Sequence, residues 1–355
     1  MGIVVSLLVL SFLIFFHELG HFLAARFFGV RVERFSIGFG PVVAKKWCCD
    51  TEWAISAIPL GGYVKMKGQD DTDPTKRSED PDSYSAKKPW QRIIILLAGP
   101  FANFFLAFLL YLAVALMGYD TLAPKIGKVL PNTPAAQAGV QPGDTIVSID
   151  GQTVRSWEDL SRIIAEHPGK PLEFVIDRDG KIVHLHIAPK PTSTKNIFGE
   201  QVRRPMIGIA PAQEFIKVHY SFLEAIEVAW QKTVEASKFI VLGIEKMIEG
   251  VVSPKEIGGV ISIMDVTAKA SQVGLVALLS LTALISVNLG ILNLLPIPAL
   301  DGGHIMINLY EWITRHTPSE EALYKITLAG WAFLLGLMGL GLYNDINRLL
   351  GGING

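Results

Sequence analysis

The fold is decided by one stretch near the N-terminus, residues 3–28, which reads IVVSLLVLSFLIFFHELGHFLAARFF. It places the pattern HExxH, from His17 to His21, inside a long apolar segment. On a helix, residues four apart lie on a shared face, so the two histidines can ligate one metal ion. Neutral imidazoles suit Zn²⁺, and Glu18 between them can act as a general base. The stretch therefore predicts a metal site on a membrane helix.

Residues 1–28 are expected to form the first transmembrane helix. At 1.5 Å per residue the segment can cross about 30 Å of hydrocarbon. A signal peptide is the alternative, but no Lys or Arg precedes the apolar core and no small-residue cleavage site follows it. Ionisable groups inside a membrane helix cost several kcal/mol each, so their occurrence at metal-ligand spacing indicates function rather than accident.

Three further apolar segments predict three more membrane helices. They are residues 93–118, residues 273–295, which end at Pro296, and residues 326–343. Hydrophobic residues make up 50% of the 355-residue chain, well suited to a membrane protein. We expect a polytopic α-helical membrane protein with four transmembrane helices and both termini on one side.

The loop between the first two spans, residues 29–92, is expected to be cytoplasmic. Its ends are rich in Lys and Arg, whereas none precedes His17, so the positive-inside rule places both termini outside. Within the loop, Gly, Pro and β-forming residues predict a membrane-associated β-hairpin region. Residues 69–90 are charged and contain Pro, which predicts a flexible linker.

The segment between the second and third spans predicts an inserted β-rich module outside the membrane. Residues 121–190 alternate short strands around one helical stretch. Residues 132–154 (NTPAAQAGVQPGDTIVSIDGQTV) resemble the core of a PDZ domain, a module that binds peptides by adding a strand to a sheet edge. Residues 191–270 are expected to be a linker and an amphipathic helix. That helix, residues 221–250, lies either on the outer membrane surface or against the module.

A third metal ligand is needed, because a catalytic zinc site has three protein ligands and one open position. Asp301 is the best candidate. It follows the third span, where Pro296 and Pro298 break the helix, and it lies on the same side of the membrane as the histidines. A helix cap at the membrane interface is the alternative for this carboxylate.

Three patterns together resemble the site-2 protease family of intramembrane zinc metalloproteases: HExxH, AGPxAN at residues 98–103 and NxxPxPxxDGG at residues 293–303. The PDZ-like module narrows the resemblance to the bacterial regulator-of-sigma-E type. The resemblance implies one Zn²⁺ per chain on His17, His21 and Asp301, with Glu18 as the base. It also implies a set of substrate-binding positions: Asn293, Pro296, Pro298, Gly38, Gly40, Gly61 and Gly62.

The same resemblance implies regulated intramembrane proteolysis in the bacterial cytoplasmic (inner) membrane. The expected substrates are single-pass membrane proteins, such as anti-sigma factors or remnant signal peptides, cut in or near their transmembrane segments. A peptide or a trimmed substrate C-terminus is the expected ligand of the PDZ domain, and membrane lipid is a further partner. The active site is expected towards the cytoplasmic side and the PDZ domain outside. Many relatives carry two PDZ domains, and this chain has one.

Two other functions remain open. A non-catalytic membrane scaffold with PDZ peptide binding and a metal site would not need Glu18. A metal transporter would also bury His and Asp, but no inverted repeat is visible. With a net charge of −1, the chain has no basic excess for nucleic acid. Asn103 and Asn288 are expected to make helix–helix hydrogen bonds. His304 is expected either to support a metal ligand from outside or to be structural, because a fourth protein ligand would close the site.

Overall fold

The computed structural model describes residues 2–69 and 78–351. In chain order its elements are α1 (Gly2–Phe27), β1 (Val32–Cys48), β2 (Thr51–Met66), α2 (Pro89–Met117), β3 (Tyr119–Leu122), β4 (Ile126–Val129), α3 (Pro134–Gln137), β5 (Thr145–Ile149), β6 (Gln152–Thr153), α4 (Trp157–Glu166), β7 (Leu172–Arg178), β8 (Lys181–Ile187), β9 (Lys190–Lys195), β10 (Gln201–Met206), β11 (Ile209–Pro211), β12 (Phe215–Val218), α5 (Phe222–Ile248), a 3₁₀ helix (Pro254–Glu256), α6 (Val260–Val273), α7 (Leu275–Leu294), α8 (Asp301–Thr314) and α9 (Glu320–Gly351).

The chain divides into two compact units. Unit 1 comprises Met1–Val114 and Ile226–Gly355, and unit 2 comprises Ala115–Ala225. In the part of the chain that the structure describes, four helices are long and apolar enough to cross a membrane: α1, α2, α7 and α9. The predicted fold class, a polytopic α-helical membrane protein with a β region and an inserted β-rich module, is confirmed.

Small residues bring α1, α2 and α7 of unit 1 into close contact. A Cβ added at Gly20 of α1 would lie 2.2 Å from the carbonyl oxygen of Ala98 on α2. A Cβ added at Gly290 of α7 would lie 3.2 Å from the carbonyl oxygen of Pro100. Helices that associate within a membrane commonly use glycine in this way, because it lets their backbones approach. The approach of α1 to α2 sets the geometry of the site described below.

The β region of unit 1 is a folded sheet made from β1 and β2. Residues 32–37 of β1 pair with residues 62–66 on one side and with residues 52–55 on the other. Residues 42–48 pair with residues 51–56 as a hairpin. Each of the two long strands therefore contributes two segments to the sheet.

Aromatic contacts fix this sheet against α1. Phe35 stacks on Trp53, with ring centroids 4.7 Å apart, and both rings contact Phe22 of α1. The hairpin turns at Cys49 and Asp50, which both have positive φ, as a two-residue type I′ turn requires. One face of the sheet thus packs against α1, the helix that carries HExxH.

The flexible linker predicted over residues 69–90 is wrong for its second part. Ser83 and Tyr84 are buried, and the N–H of Tyr84 donates to the carbonyl of Lys67 at 2.8 Å. Its charged and Ser-rich composition resembled a solvated linker, but these side chains make local hydrogen bonds that hold the segment in place. Residues 70–77 lie outside the described residues.

A helix that the sequence did not predict, α6, packs against α1 and is capped by α9. The Asp345 carboxylate of α9 accepts hydrogen bonds of 3.0–3.1 Å from three backbone N–H groups, those of Gly259, Ile261 and Ser262. A carboxylate satisfies these first-turn donors and favours the positive end of the helix. Asp345 lies 83 to 86 positions after the N–H groups that it caps, so no local sequence pattern predicts this cap.

Unit 2 is built on a four-stranded sheet in the order β6-β5-β7-β8. Its core contains fully buried side chains from the sheet and from α4, among them Ile146, Leu160 and Phe174. Ser156 caps α4 by accepting a hydrogen bond from the N–H of Asp159 at 3.1 Å. These elements fall within the β-rich module predicted over residues 121–190.

The linker expected at the start of residues 191–270 is wrong, because four strands of unit 2 occupy residues 190–218. β9 pairs with β10, whereas β11 pairs with β4 and β12 pairs with β3. The last two pairings join strands from opposite ends of the unit. Such short strands lack a clear alternating pattern, and their partners are distant in sequence, so the pairing was not predictable from local composition.

The predicted amphipathic helix corresponds to α5. Ala229 and Ala236 on its middle turns are buried in a cluster with Ala107 of α2 and with Ala283 and Val287 of α7. Neither of the two predicted positions, on the membrane surface or against the module, included this contact with membrane helices. Small side chains at helical spacing provide the close-packing face.

Candidate metal centre

Two separate elements bring the candidate ligands together. HExxH lies within α1, where the helical repeat puts His17 and His21 on one face. Asp301 is the first residue of α8. The two glycines that follow it allow close packing, since an added Cβ would lie 2.1 Å from a carbonyl oxygen at Gly302 and 2.4 Å from another at Gly303. The DGG pattern therefore serves to seat Asp301 against the end of α7.

The three ligand atoms form a nearly equilateral triangle. Nε2 of His17 lies 3.2 Å from Nε2 of His21 and 3.2 Å from Oδ2 of Asp301, and the third side measures 3.4 Å. In a tetrahedral zinc site with bonds of about 2.0–2.1 Å, ligand atoms stand about 3.3–3.4 Å apart. The spacing therefore fits one zinc ion, with a fourth position left for water or substrate.

The burial and hydrogen bonding of these groups also fit a metal. Both histidines are buried, and Oδ2 of Asp301 is a buried atom without a hydrogen-bond partner among the described residues. A buried carboxylate oxygen without a partner is costly, and a cation bound there removes that cost. Within residues 2–69 and 78–351, this is the group of His, Cys, Asp and Glu side chains with metal-binding spacing.

Each histidine is oriented by a second contact from α2. Nδ1 of His21 lies 2.8 Å from the carbonyl oxygen of Ile95, and Nδ1 of His17 lies 3.0 Å from the amide nitrogen of Asn103. A Cβ added at Gly99 would lie 2.2 Å from Nε2 of His21, so glycine is needed to leave room for the ring. Such outer contacts orient metal-binding histidines.

Asn103 and Gly99 are the site residues that sequence reasoning missed. Asn103 was expected to make a helix–helix hydrogen bond, which it makes to His17, and Gly99 was noted only as part of the AGPxAN pattern, with no role at the metal site. The available signal was their spacing: Gly99 and Asn103 are four residues apart, as are His17 and His21. Two helix faces with the same spacing can match residue by residue.

Asn293 joins the site from α7, the helix that ends just before the proline-broken turn. Its amide nitrogen lies 3.4 Å from Nε2 of His17. The structure therefore brings Asn293 next to the ligand triangle. His304, predicted either to support a ligand or to be structural, lies in the first turn of α8, where its carbonyl accepts a hydrogen bond from Asn308 at 2.8 Å.

Glu18 lies beside the sheet, next to Gly62. A Cβ added at Gly62 would lie 3.3 Å from Cγ of Glu18 and 2.9 Å from the Ile14 side chain. Residue 62 belongs to the β2 segment that pairs with residues 32–37. A bare stretch of strand backbone therefore lies beside the candidate base.

The other predicted substrate-binding residues lie in two further places. Gly38, Gly40 and Gly61 all have positive φ, and they lie against the Ile58 backbone, the Ile58 side chain and the Phe39 ring respectively. Pro296 and Pro298 line an apolar cavity of about 380 Å³ together with residues of α8 and α9. The structure therefore places Gly62 beside Glu18, and it places Pro298 against Gly303, two residues after Asp301.

Comparison with known proteins relates the chain to metalloproteases. The sequence profile of peptidase family M50 matches residues 5–337. A "putative zinc metalloprotease" of Campylobacter jejuni is 46% identical over 98% of this chain and 93% of its own length. Metalloprotease MmpA of Caulobacter vibrioides is 35% identical over 97% of this chain and 95% of its own. The PDZ domain of an SdrC-like protein from Listeria monocytogenes is similar at 23% identity and a TM-score of 0.21, covering 26% of this chain and 88% of that one.

Proposed function

The chain belongs to peptidase family M50 and is a zinc metalloprotease, and from this premise we propose that it cuts single-pass membrane proteins in or beside their transmembrane segments. The observation that carries the proposal is the ligand triangle on α1 and α8. It combines zinc spacing with a glutamate in the same helical turn, inside a helix long enough to span a membrane. The zinc ligands are proposed to be His17, His21 and Asp301.

Glu18 is the proposed general base. When bound, zinc supplies Lewis acidity, which polarises a peptide carbonyl and acidifies water. The Glu18 carboxylate takes a proton from the attacking water as its oxygen bonds to the carbonyl carbon. Glu18 then gives that proton to the amide nitrogen as the C–N bond breaks. Water is thereby divided between a new carboxyl group and a new amine.

Asn293 is the proposed donor to the substrate. Its amide nitrogen lies 3.4 Å from a ligand atom, so the side chain would be able to donate to a substrate carbonyl oxygen lying beside the metal centre. Hydrogen bonds aimed at developing negative charge are usually worth about 10²–10³ in rate. Asn293 would hold the substrate carbonyl in the ground state and stabilise its oxygen as charge develops.

The sheet edge beside Glu18 is the proposed seat for an unwound substrate. A helical substrate hides its scissile carbonyl in its own hydrogen bonds, so the chain must open locally before water can attack. Pairing with a strand edge near Gly62 would replace those lost bonds. The positive-φ backbone at Gly38, Gly40 and Gly61 would shape this edge. Equal cleavage of an uninterrupted poly-Leu span and of one with helix-breaking residues would contradict this step.

An apolar cavity supports a transmembrane substrate. It measures about 730 Å³ and is lined by α1, α2 and α7 residues, among them Val9, Phe12 and Leu110, together with Ile37 of the sheet. Ile37 pairs with Gly62, so the cavity reaches the part of the sheet that lies beside Glu18. A substrate helix lying in this cavity would lead its chain to the base.

The finer biological assignment rests on the resemblance of the motifs. We propose single-pass anti-sigma factors or remnant signal peptides as substrates in regulated intramembrane proteolysis. The PDZ-like module of unit 2 would bind a peptide or a trimmed substrate C-terminus. The proposed location is the bacterial inner membrane, with the metal centre towards the cytoplasm and unit 2 outside, as the distribution of Lys and Arg favours.

The test compares wild type with Glu18→Gln on a model single-span substrate in detergent, with bound zinc measured in each sample. Glu33→Gln is the matched control, because it removes a half-exposed carboxylate of β1 that pairs with Lys65 rather than with the ligands. We expect Glu18→Gln to keep zinc and lose about 10²–10⁴-fold in rate, and added chelator to abolish cleavage. Zinc binding with cleavage indifferent to Glu18 would favour the scaffold, and zinc uptake into vesicles would favour the transporter.

A further inference from the structure

The HExxH face of α1 meets a matching face of α2. His21 lies against Gly99 and His17 against Asn103, so the two pairs align in antiparallel register. From this juxtaposition we infer that Asn103 is a positioning residue that decides which ring nitrogen of His17 carries the proton. The inference rests on the proposed zinc site, because it matters only if Nε2 of His17 is a ligand.

The hydrogen bond from His21 to α2 determines which nitrogen of the His21 ring carries the proton. Its Nδ1 lies 2.8 Å from the carbonyl oxygen of Ile95, and a carbonyl can only accept. Nδ1 of the neutral ring must therefore carry the hydrogen and donate it. Nε2 is left with a lone pair that faces Asp301 at 3.4 Å. The backbone of α2 alone thus prepares His21 to ligate a metal.

His17 is different because its partner can donate or accept. With the Asn103 amide nitrogen 3.0 Å from Nδ1, the amide donates, Nδ1 accepts, and the ring proton sits on Nε2, opposite Asp301 at 3.2 Å. In that tautomer Nε2 has no lone pair for zinc. A half turn of the amide brings Oδ1 to the same place. The amide then accepts from Nδ1–H, and Nε2 is free to ligate.

The surroundings of Asn103 permit both orientations. Its side chain is fully buried, and Oδ1 has no hydrogen-bond partner among the described residues. The backbone is held separately, because the Ser286 hydroxyl donates to the Asn103 carbonyl at 2.8 Å. Each orientation of the Asn103 amide makes one hydrogen bond to His17, so the half turn leaves the number of hydrogen bonds unchanged. Zinc binding would then select the orientation in which the amide accepts.

The side chain at position 103 should therefore tune zinc affinity in a defined order. An acceptor keeps the ligating tautomer, whereas an apolar side chain leaves the His17 ring unfixed. Contacts of this kind change metal affinity by about 10–100-fold. We expect Asn103→Leu to weaken zinc binding by that factor. Asn103→Asp, which can only accept when ionised, is expected to retain it.

The experiment measures the zinc dissociation constant of the full chain in detergent by competition with a chelator. Asn288→Leu is the matched control, since it removes an amide of the same kind from α7 and should leave the affinity unchanged. Cobalt-loaded samples add a spectroscopic readout, because an altered ligand arrangement changes the visible absorption. Wild-type affinity in Asn103→Leu, or weakening in Asn103→Asp as severe as in Asn103→Leu, would overturn the inference.

A second measurement needs no variant. Nitrogen-15 NMR of histidine-labelled wild type reports which ring nitrogen carries a proton. We expect a protonated Nδ1 on His17 in the zinc-loaded protein, and an unprotonated Nδ1 would contradict the role of Asn103. The proposed zinc site and the role of Asn103 can be refuted separately. Absence of zinc from wild type removes the proposed site itself, whereas normal zinc with an indifferent Asn103 removes only this inference.

Discussion

Two carboxylates with buried oxygens, one in each unit, differ in how those oxygens are used. Asp144 of unit 2 is fully satisfied: Oδ1 and Oδ2 accept from Arg178 at 2.7 and 2.8 Å, and Oδ2 also accepts from the N–H of Gln141. Asp301 of unit 1 instead points a buried oxygen without a hydrogen bond at two imidazole nitrogens. The first arrangement stabilises a fold, and the second is prepared for a cation.

Replacing Asp301 should give the largest effect. Asp301→Asn removes the charge and leaves a weak ligand, so we expect zinc to be lost and cleavage to fall more than about 100-fold, beyond the range for outer contacts. Thermal stability of the metal-free protein should change little, because the removed charge was not satisfied by hydrogen bonds. Zinc content, cleavage rate and melting temperature measure the three effects. Retained zinc with normal cleavage would remove Asp301 from the site.

Filling the space beside His21 should come next. In Gly99→Ala the new methyl group would occupy the position of the His21 ring, and overpacking of this kind costs about 1–3 kcal/mol. We expect weaker zinc binding through displacement of the ring. The control is Gly339→Ala in α9, where an added Cβ meets nothing within 4 Å and should stabilise the helix slightly. Equal zinc affinity in both variants would show that α2 does not constrain the ligand.

Asp144→Asn should reverse the pattern seen with Asp301. The change leaves Arg178 without its charged partner, and we expect a loss of about 1–3 kcal/mol in the stability of unit 2, with zinc content unchanged. Chemical unfolding followed by a probe in unit 2 measures this loss. An Asp144→Asn variant that lost zinc but kept its stability would show that Asp144 and Asp301 do not differ in this way.

The ion pair between Asp144 and Arg178 predicts that the stability of unit 2 depends on pH. Burial by itself raises the pKa of Asp144, but Arg178 and the N–H of Gln141 outweigh it and hold the pKa below its usual range. A lowered pKa gives stability above the unfolded value, about 3.9, which is lost as the pH falls through the folded value. The stability difference between wild type and Asp144→Asn should therefore shrink at low pH. A constant difference would contradict the ion pair.

The smallest effect is expected at Glu224. Hydrogen bonds from Arg155 and Ser221 lower its pKa to about 2, and at the start of α5 its carboxylate accepts from both the backbone N–H and the hydroxyl of Ser221. The pair is exposed, so water and salt screen it. We expect Glu224→Gln to leave the melting temperature almost unchanged at physiological salt. A large fall would show that exposed pairs matter more in unit 2 than burial suggests.

Sequence predicted those features that local pattern encodes. Apolar length identified the membrane helices, and the spacing of His17 and His21 identified the metal-binding face. What it missed depends on distant partners. α6 is capped by Asp345 of α9, and β11 and β12 pair with strands near the start of unit 2. Such contacts leave no periodic trace in the segments that make them.

The candidate site divides in the same way. His17, Glu18, His21, Asn293 and Asp301 lie in motifs, and all were named from sequence. Asn103 was recognised as polar but not as a neighbour of His17, because that neighbour relation depends on how α1 and α2 align. The alignment of α1 with α2 follows from their close packing at Gly20. A single sequence does not reveal that packing.

Zinc-edge X-ray absorption on the purified chain reports the atoms that bind the metal. We predict one zinc per chain with two imidazole nitrogens and one carboxylate oxygen at about 2.0–2.2 Å, and the loss of a nitrogen in His17→Ala. A sulfur shell at about 2.3 Å would contradict this prediction, because the chain's two cysteines are Cys48, at the end of β1, and Cys49, in the hairpin turn that follows it.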